Sequence, residues 1–132
     1  MVLTILPERL AVCRLDAQAE IPTWATRRPF FSVTRTQDEL SVICREEDVP
    51  AGVQQEKGWR ALKVEGPFGF AVVGVLATLA QPLAAAGISI LAFCTYDTDY
   101  VLVKESQLLR AVAVLQERGH TFDEIQFTGG GA

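Results

Sequence analysis

Hydrophobic and polar positions alternate through the opening stretch of the chain. Val2–Leu6 and Arg9–Leu15 both alternate and are split by Pro7, which has no N–H to give to a ladder, so they predict one bent strand or two. In the second piece Leu10 and Val12 share one face, and Ala11, Cys13 and Leu15 the other. Ile21–Arg28, with Pro22 near its start and Pro29 just beyond, predicts a short helix or an irregular turn. Phe30–Thr36 and Leu40–Arg45 are rich in β-branched and aromatic residues and flank Gln37-Asp38-Glu39, which reads as a hairpin. Glu46–Gly52 has room for one helical turn, with Asp48 as its cap and the carboxylates at its positive end. The polar Val53–Lys57 is the best candidate for an internal boundary.

The second half has a clearer rhythm. In Trp59–Glu65, Arg60, Leu62 and Val64 share one face and Trp59, Ala61 and Lys63 the other. Gly66-Pro67-Phe68-Gly69 breaks the strand, and Phe70–Ala86 predicts a helix that is apolar nearly all round, kinked at Pro82 and ended by Gly87. Ile88–Phe93 and Asp99–Lys104 predict strands joined by the turn Thr95–Thr98. Gln107–Arg118 predicts a helix with Ser106 as N-cap and Gly119 as its stop, and Phe122–Phe127 a last strand. The order strand-helix-strand-strand-helix-strand is that of an α+β, ferredoxin-like βαββαβ unit. The first half has the same order, truncated before its second helix. The expected organisation is a degenerate unit over residues 1–57, a full unit over 58–127 and a flexible tail over 128–132.

Composition fits this picture. The chain has 132 residues, 49% hydrophobic and 21% charged, which excludes disordered and collagenous classes and sets one domain or two very small ones. A net charge of -4 argues against nucleic acid as a partner, since phosphate binding needs a basic face. Cys13, Cys44 and Cys94 are odd in number, far apart and set in apolar runs, so they read as buried, reduced thiols. The N-terminus lacks the basic flank of a signal peptide, and the apolar Phe68–Leu83 is too short and too interrupted to span a membrane. The expectation is a cytoplasmic protein.

A ferredoxin-like unit hosts many functions, so the site must decide. Tyr100–Val103 offers one aromatic beside Asp97 and Asp99, a poor RNA platform. The loop Gly66–Phe70 has neither the paired thiols of a copper carrier nor the arginine of an acyl-phosphate hydrolase. His120, next to Gly119, reads as a solvated residue after a helix rather than a base, and Glu46-Glu47-Asp48 as a solvated turn rather than a metal site. No catalytic residue, cofactor or metal is expected.

What remains is a small-ligand module. Free N–H groups at Phe70, Ala71 and Val72, with Gly69 allowing close approach, suit a carboxylate. Asp97 or Asp99 suits an ammonium group. The expected topology puts these two features at opposite ends of the sheet, so that one unit need not hold both and two packed units could bring them together. The plainer alternative is a helix-leading loop and a hairpin turn with no ligand.

Phe30–Thr36 with Glu39-Leu40-Ser41, Glu65-Gly66-Pro67, Ala86–Ile90 and, most specifically, Thr95-Tyr96-Asp97-Thr98-Asp99-Tyr100 with Val101–Lys104 resemble ACT-domain proteins. The likeness runs from Leu3 to Phe127. It is greatest to small bacterial proteins with two ACT-like units, relatives of the ACT repeats of cytosolic arginine sensors and of aspartate kinases. The resemblance implies a non-catalytic regulatory protein that binds an amino acid between ACT-like units, forms a homodimer and signals to a protein effector. By position it implies that Phe68, Gly69, Phe70, Ala71 and Val72 face the ligand's carboxylate and that Thr95, Tyr96 and Asp99 contact the ligand. The alternative is an assembly module with a vestigial site.

Overall fold

The computed structural model describes residues 1–65 and 74–123. Among the described residues there are eight strands and two α-helices: β1 (Val2–Ile5), β2 (Leu10–Leu15), β3 (Ser32–Arg35), β4 (Leu40–Arg45), β5 (Gln54–Val64), α1 (Val75–Ala85), β6 (Ile90–Cys94), β7 (Asp99–Lys104), α2 (Leu108–Glu117) and β8 (Thr121–Phe122). They form two compact units. One is Glu8–Trp59; the other joins Met1–Pro7 to the chain from Arg60 onward.

This grouping differs from the expected division near residue 57. β1 pairs antiparallel with β5, Leu3 opposite Val64 and Ile5 opposite Leu62, and lies parallel to β8. The C-terminal unit therefore has the strand order β6-β7-β5-β1-β8, a ferredoxin-like sheet with one strand inserted beside its first. The reason is burial. Leu3 and Ile5 are at most 1% exposed and join Leu62, Val64, Val101 and Val103 on the face that α1 and α2 cover. Leu79 and Leu83 of α1, and Leu108, Val112 and Leu115 of α2, complete that core. Each such side chain contributes about 1.5–3 kcal/mol by leaving water. On the same face of β5, the fully buried Arg60 meets Glu105 at 3.2 Å and the Leu6 carbonyl at 3.1 Å. A guanidinium is tolerated in such a core when it is paired in this way.

The N-terminal unit has the order β3-β4-β2-β5, all antiparallel, using the Gln54–Trp59 half of β5. Val53–Lys57 thus belongs mostly to a strand rather than a linker. Leu10 pairs with Trp59 but Val12 with Glu56, so β5 carries a bulge. Gly58 takes φ +80 there, a conformation that a Cβ disfavours, and its N–H donates to Glu46 Oε1 at 2.8 Å. Ile21–Arg28 contains a single 3-10 turn, Thr23–Thr26. Glu46–Asp48 is also a 3-10 turn, but Asp48 does not cap it. The Asp48 carboxylate, 7% exposed, instead meets Arg28 at 3.3 Å and Arg27 at 3.8 Å.

α1 starts at Val75, after Gly74 in the left-handed region, and the expected start at Phe70 lies outside the described residues. Two further expectations change. Gln107–Arg118 shortens to α2 behind a 3-10 turn that contains Ser106, with no side-chain cap. His120 is buried at 4% exposure rather than solvated, because its N–H closes α2 on the Leu115 carbonyl and turns the ring inward. Within α1, Pro82 leaves the Thr78 carbonyl without a helical donor, and that carbonyl faces the His120 ring. Among the described residues, no helix is long and apolar enough to cross a membrane.

Candidate functional site

β6 and β7 pair in strict register, Ile90 opposite Val103 through Cys94 opposite Asp99. That register leaves Thr95–Thr98 as a four-residue connection. The Thr95 N–H donates to the Thr98 carbonyl at 2.8 Å, and Thr95 Oγ1 donates to the same oxygen at 3.2 Å while accepting from the Thr98 N–H at 3.3 Å. A threonine at the first position satisfies the turn's backbone from within. The strands stay aligned up to this point because Phe93 and Tyr100 stack across the ladder, with centroids 5.1 Å apart.

The turn's position corrects the expected topology. Thr98 is 7% exposed, and its hydroxyl donates to the carbonyl of Val64, the last residue of β5. The turn therefore lies at the end of the sheet from which the chain leaves β5 toward residues 66–73. β6 returns from α1 parallel to β5, so both strands end on the same side. One unit suffices to bring the turn to the end of the strand that leads into this loop. At that end the Glu65 N–H donates to the Val2 carbonyl at 3.0 Å, Thr4 donates from Oγ1 to the Glu65 carboxylate, and Lys63 stands 3.9 Å from it.

Of the residues singled out from sequence, Thr95, Tyr96, Asp97 and Asp99 come together in this turn. Tyr96 is 76% exposed, Asp97 is exposed and Asp99 half-buried. Phe68, Gly69, Phe70, Ala71 and Val72 lie outside the described residues. Asp99 and Cys94 share the helix-covered face with Val101 and Val103. The Cys94 thiol is pushed above its ordinary pKa, first by its hydrogen bond to Asp99, then by partial burial and by the carboxylate's charge. Cys94 is thereby kept a thiol rather than a nucleophilic thiolate.

Sequence reasoning missed Thr98 and the exposed position of Cys94. The cross-strand register would have paired Cys94 with Asp99 once the loop length was known. Thr98, polar and flanked by two aspartates, carries no local sign of burial. Cys13 and Cys44 are buried as expected. The Cys44 thiol is pushed up by its hydrogen bond to Cys13 and then by burial, and the Cys13 thiol is drawn down by the same bond against the effect of its burial.

Comparison with known proteins agrees with this geometry. The ACT domain family matches residues 54–117, and a second family, described as an N-terminal domain, matches residues 8–52. The cytosolic arginine sensor for mTORC1 subunit 1 of Bos taurus is 31% identical over 111 residues, covering 76% of this chain and 34% of that protein. The chain thus spans about a third of the length of the curated relatives it matches. The crystal structure of Atu0741 from Agrobacterium tumefaciens superposes with a TM-score of 0.87 at 36% identity, covering 92% of this chain and 90% of that one. The regulatory subunit of aspartate kinase from Thermus thermophilus shares the fold, with a TM-score of 0.59 at 9% identity over 86% of this chain and 96% of its own. With the ferredoxin-like sheet and the Thr95–Asp99 turn in place, residues 54–117 of the chain belong to the ACT-domain family.

Proposed function

We propose that this chain is a non-catalytic regulatory protein of the cytoplasm that binds a free amino acid at the Thr95–Asp99 turn. The observation that carries the reading is the Asp99 carboxylate, half-buried and paired across the ladder with Cys94 at the sheet end where β5 terminates. The likeness to proteins named as arginine sensors supports an amino acid as the ligand class. Asp99 accepts the ligand's ammonium group. Asp97, Thr95 and the exposed Tyr96 line its approach, and residues 68–72 are the proposed partners of its carboxylate. A charge-assisted hydrogen bond to a half-dry carboxylate is stronger than one in water. Ligand binding favours one packing of ACT-like units, and a protein effector reads that packing.

The test is a thermal-shift screen against the twenty amino acids, followed by titration of whichever one stabilises the protein. Asp99→Asn is expected to raise the dissociation constant about tenfold to a hundredfold, the loss of one charged hydrogen bond. Asp123→Asn, exposed on the far side of β8, should leave it unchanged. Equal effects from the two variants would refute the site.

One observation favours a second reading, a homodimer or an assembly module. α1 carries no charged residue, and its exposed positions are Ala77, Thr78, Gln81, Ala84 and Ala85. A monomer at micromolar concentration by analytical ultracentrifugation would exclude that reading.

A further inference from the structure

We infer that Thr98 is a positioning residue of the ligand turn, an inference that rests on the amino-acid-binding reading above. Among the described residues the buried polar side chains are Arg60, Thr98 and His120. Arg60 is held by Glu105 and Leu6, and His120 lies beneath α1. Thr98 alone of the three belongs to the turn that carries Asp97 and Asp99.

Its bonds run in two directions. Through its backbone it closes the turn, accepting from the Thr95 N–H at 2.8 Å and donating to Thr95 Oγ1 at 3.3 Å. Through its hydroxyl it grips the Val64 carbonyl at the end of β5. The next residue, Glu65, is tied from the other side by its N–H to Val2 at 3.0 Å. The end of β5 is therefore clamped between β1 and the turn, and Thr98 is the clamp's link to Asp99. Asp99 follows Thr98 directly and is the first residue of β7, so a shift of the hydroxyl's anchor moves the carboxylate with it. A binding site loses affinity when its groups are displaced by a fraction of an ångström, because the ordering cost is then met at the moment of binding. Thr98 itself need not touch the ligand.

The inference separates two roles for one hydroxyl. A merely structural Thr98 lowers stability when changed and leaves the affinity of the folded protein alone. A positioning Thr98 lowers affinity in protein that is still folded, and serine restores it. The experiment compares wild type, Thr98→Val and Thr98→Ser by calorimetric titration with each of the twenty amino acids, at a temperature where circular dichroism shows all three folded. Thr98→Ala, which deletes the same hydroxyl with less bulk, replaces Thr98→Val if that variant does not fold.

The expected result is a dissociation constant about tenfold higher for Thr98→Val and within about threefold of wild type for Thr98→Ser, the scale of one net hydrogen bond. Wild-type affinity in the folded Thr98→Val or Thr98→Ala protein overturns the positioning role and leaves the binding reading standing. Equal loss in Thr98→Ser and Thr98→Val also overturns it, since the hydroxyl is then not the cause. No binding of any amino acid by wild type overturns the functional reading and this inference together.

Discussion

The two units solve the problem of a small core in different ways. The C-terminal unit covers one face of its sheet with α1 and α2 and buries a continuous set of leucines, isoleucines and valines from β1, β5, β7 and both helices. The N-terminal unit has no α-helix among its described residues. Its core is Ala11, Cys13, Ala25, Val42 and Cys44, small side chains with Trp24, Leu15 and Val33 packed around them. It draws instead on arginines. Arg35 donates to the Ala17 and Ala19 carbonyls, Arg14 to the Asp38 carbonyl, and Arg27 and Arg28 both reach Asp48. Loss of helices leaves backbone carbonyls and loop segments that apolar packing cannot tie down, and a guanidinium's several donors can. The half of the molecule with the larger core is also the half that holds the Thr95–Asp99 turn in register.

The largest way to break that contrast is to empty the larger core. Leu83→Ala, at a fully buried position of α1, should cost about 2–5 kcal/mol in urea unfolding, the range for buried leucine truncations. A cost under about 1 kcal/mol would mean that α1 does not carry the unit. A smaller effect tests the other side. Asp48→Asn should cost about 1 kcal/mol, because its arginine partners are 41% and 58% exposed and well screened. Hydrogen exchange should place that loss within Glu8–Trp59, and raising salt should reproduce part of it in wild type while leaving the C-terminal unit unchanged.

The pH dependence sharpens the same comparison from within the C-terminal unit. Burial, and next the positive chain terminus 3.1 Å from Nδ1, hold the His120 pKa below its ordinary 6.5, against the opposing pull of the Thr78 carbonyl. The unfolded chain therefore binds this proton more readily than the folded one. Stability contributed by neutral His120 is full above pH 6.5 and falls as pH drops through and below that value. Unfolding curves at pH 7.5 and 5.5 should show the decline in wild type and a flatter response in His120→Gln. An equal slope in both would remove His120 from the account.

Much of the C-terminal unit was legible in the sequence because its elements announce themselves locally. Trp59–Glu65 and Asp99–Lys104 alternate, α2 has leucines and valines at helical spacing, and Gly87 and Gly119 end the helices. The insertion of β1 was not legible. Val2–Ile5 alternates whichever neighbour it takes, and only burial beside Leu62 and Val64 assigns it to a strand far along the chain. The Asp48 ion pairs were hidden for the same reason, since a carboxylate in a turn reads as a cap until Arg27 and Arg28 are brought to it. The candidate site divides in the same way. Thr95, Tyr96, Asp97 and Asp99 stand out as a run, and the proposed binding role comes from the family resemblance. The clamp of Thr98 on Val64 depends on β6 and β5 ending together, whereas the topology expected from sequence sets the turn and the start of the helix at opposite ends.

We propose above all that an amino acid is held at the Thr95–Asp99 turn of the C-terminal unit. The most direct test is hydrogen exchange followed by mass spectrometry, with and without each amino acid that stabilises the protein. Slowed exchange concentrated in peptides spanning residues 93–101, with Glu8–Trp59 unchanged, is the predicted result. Protection confined to Glu8–Trp59 would contradict it and move the site to the arginine-stapled unit.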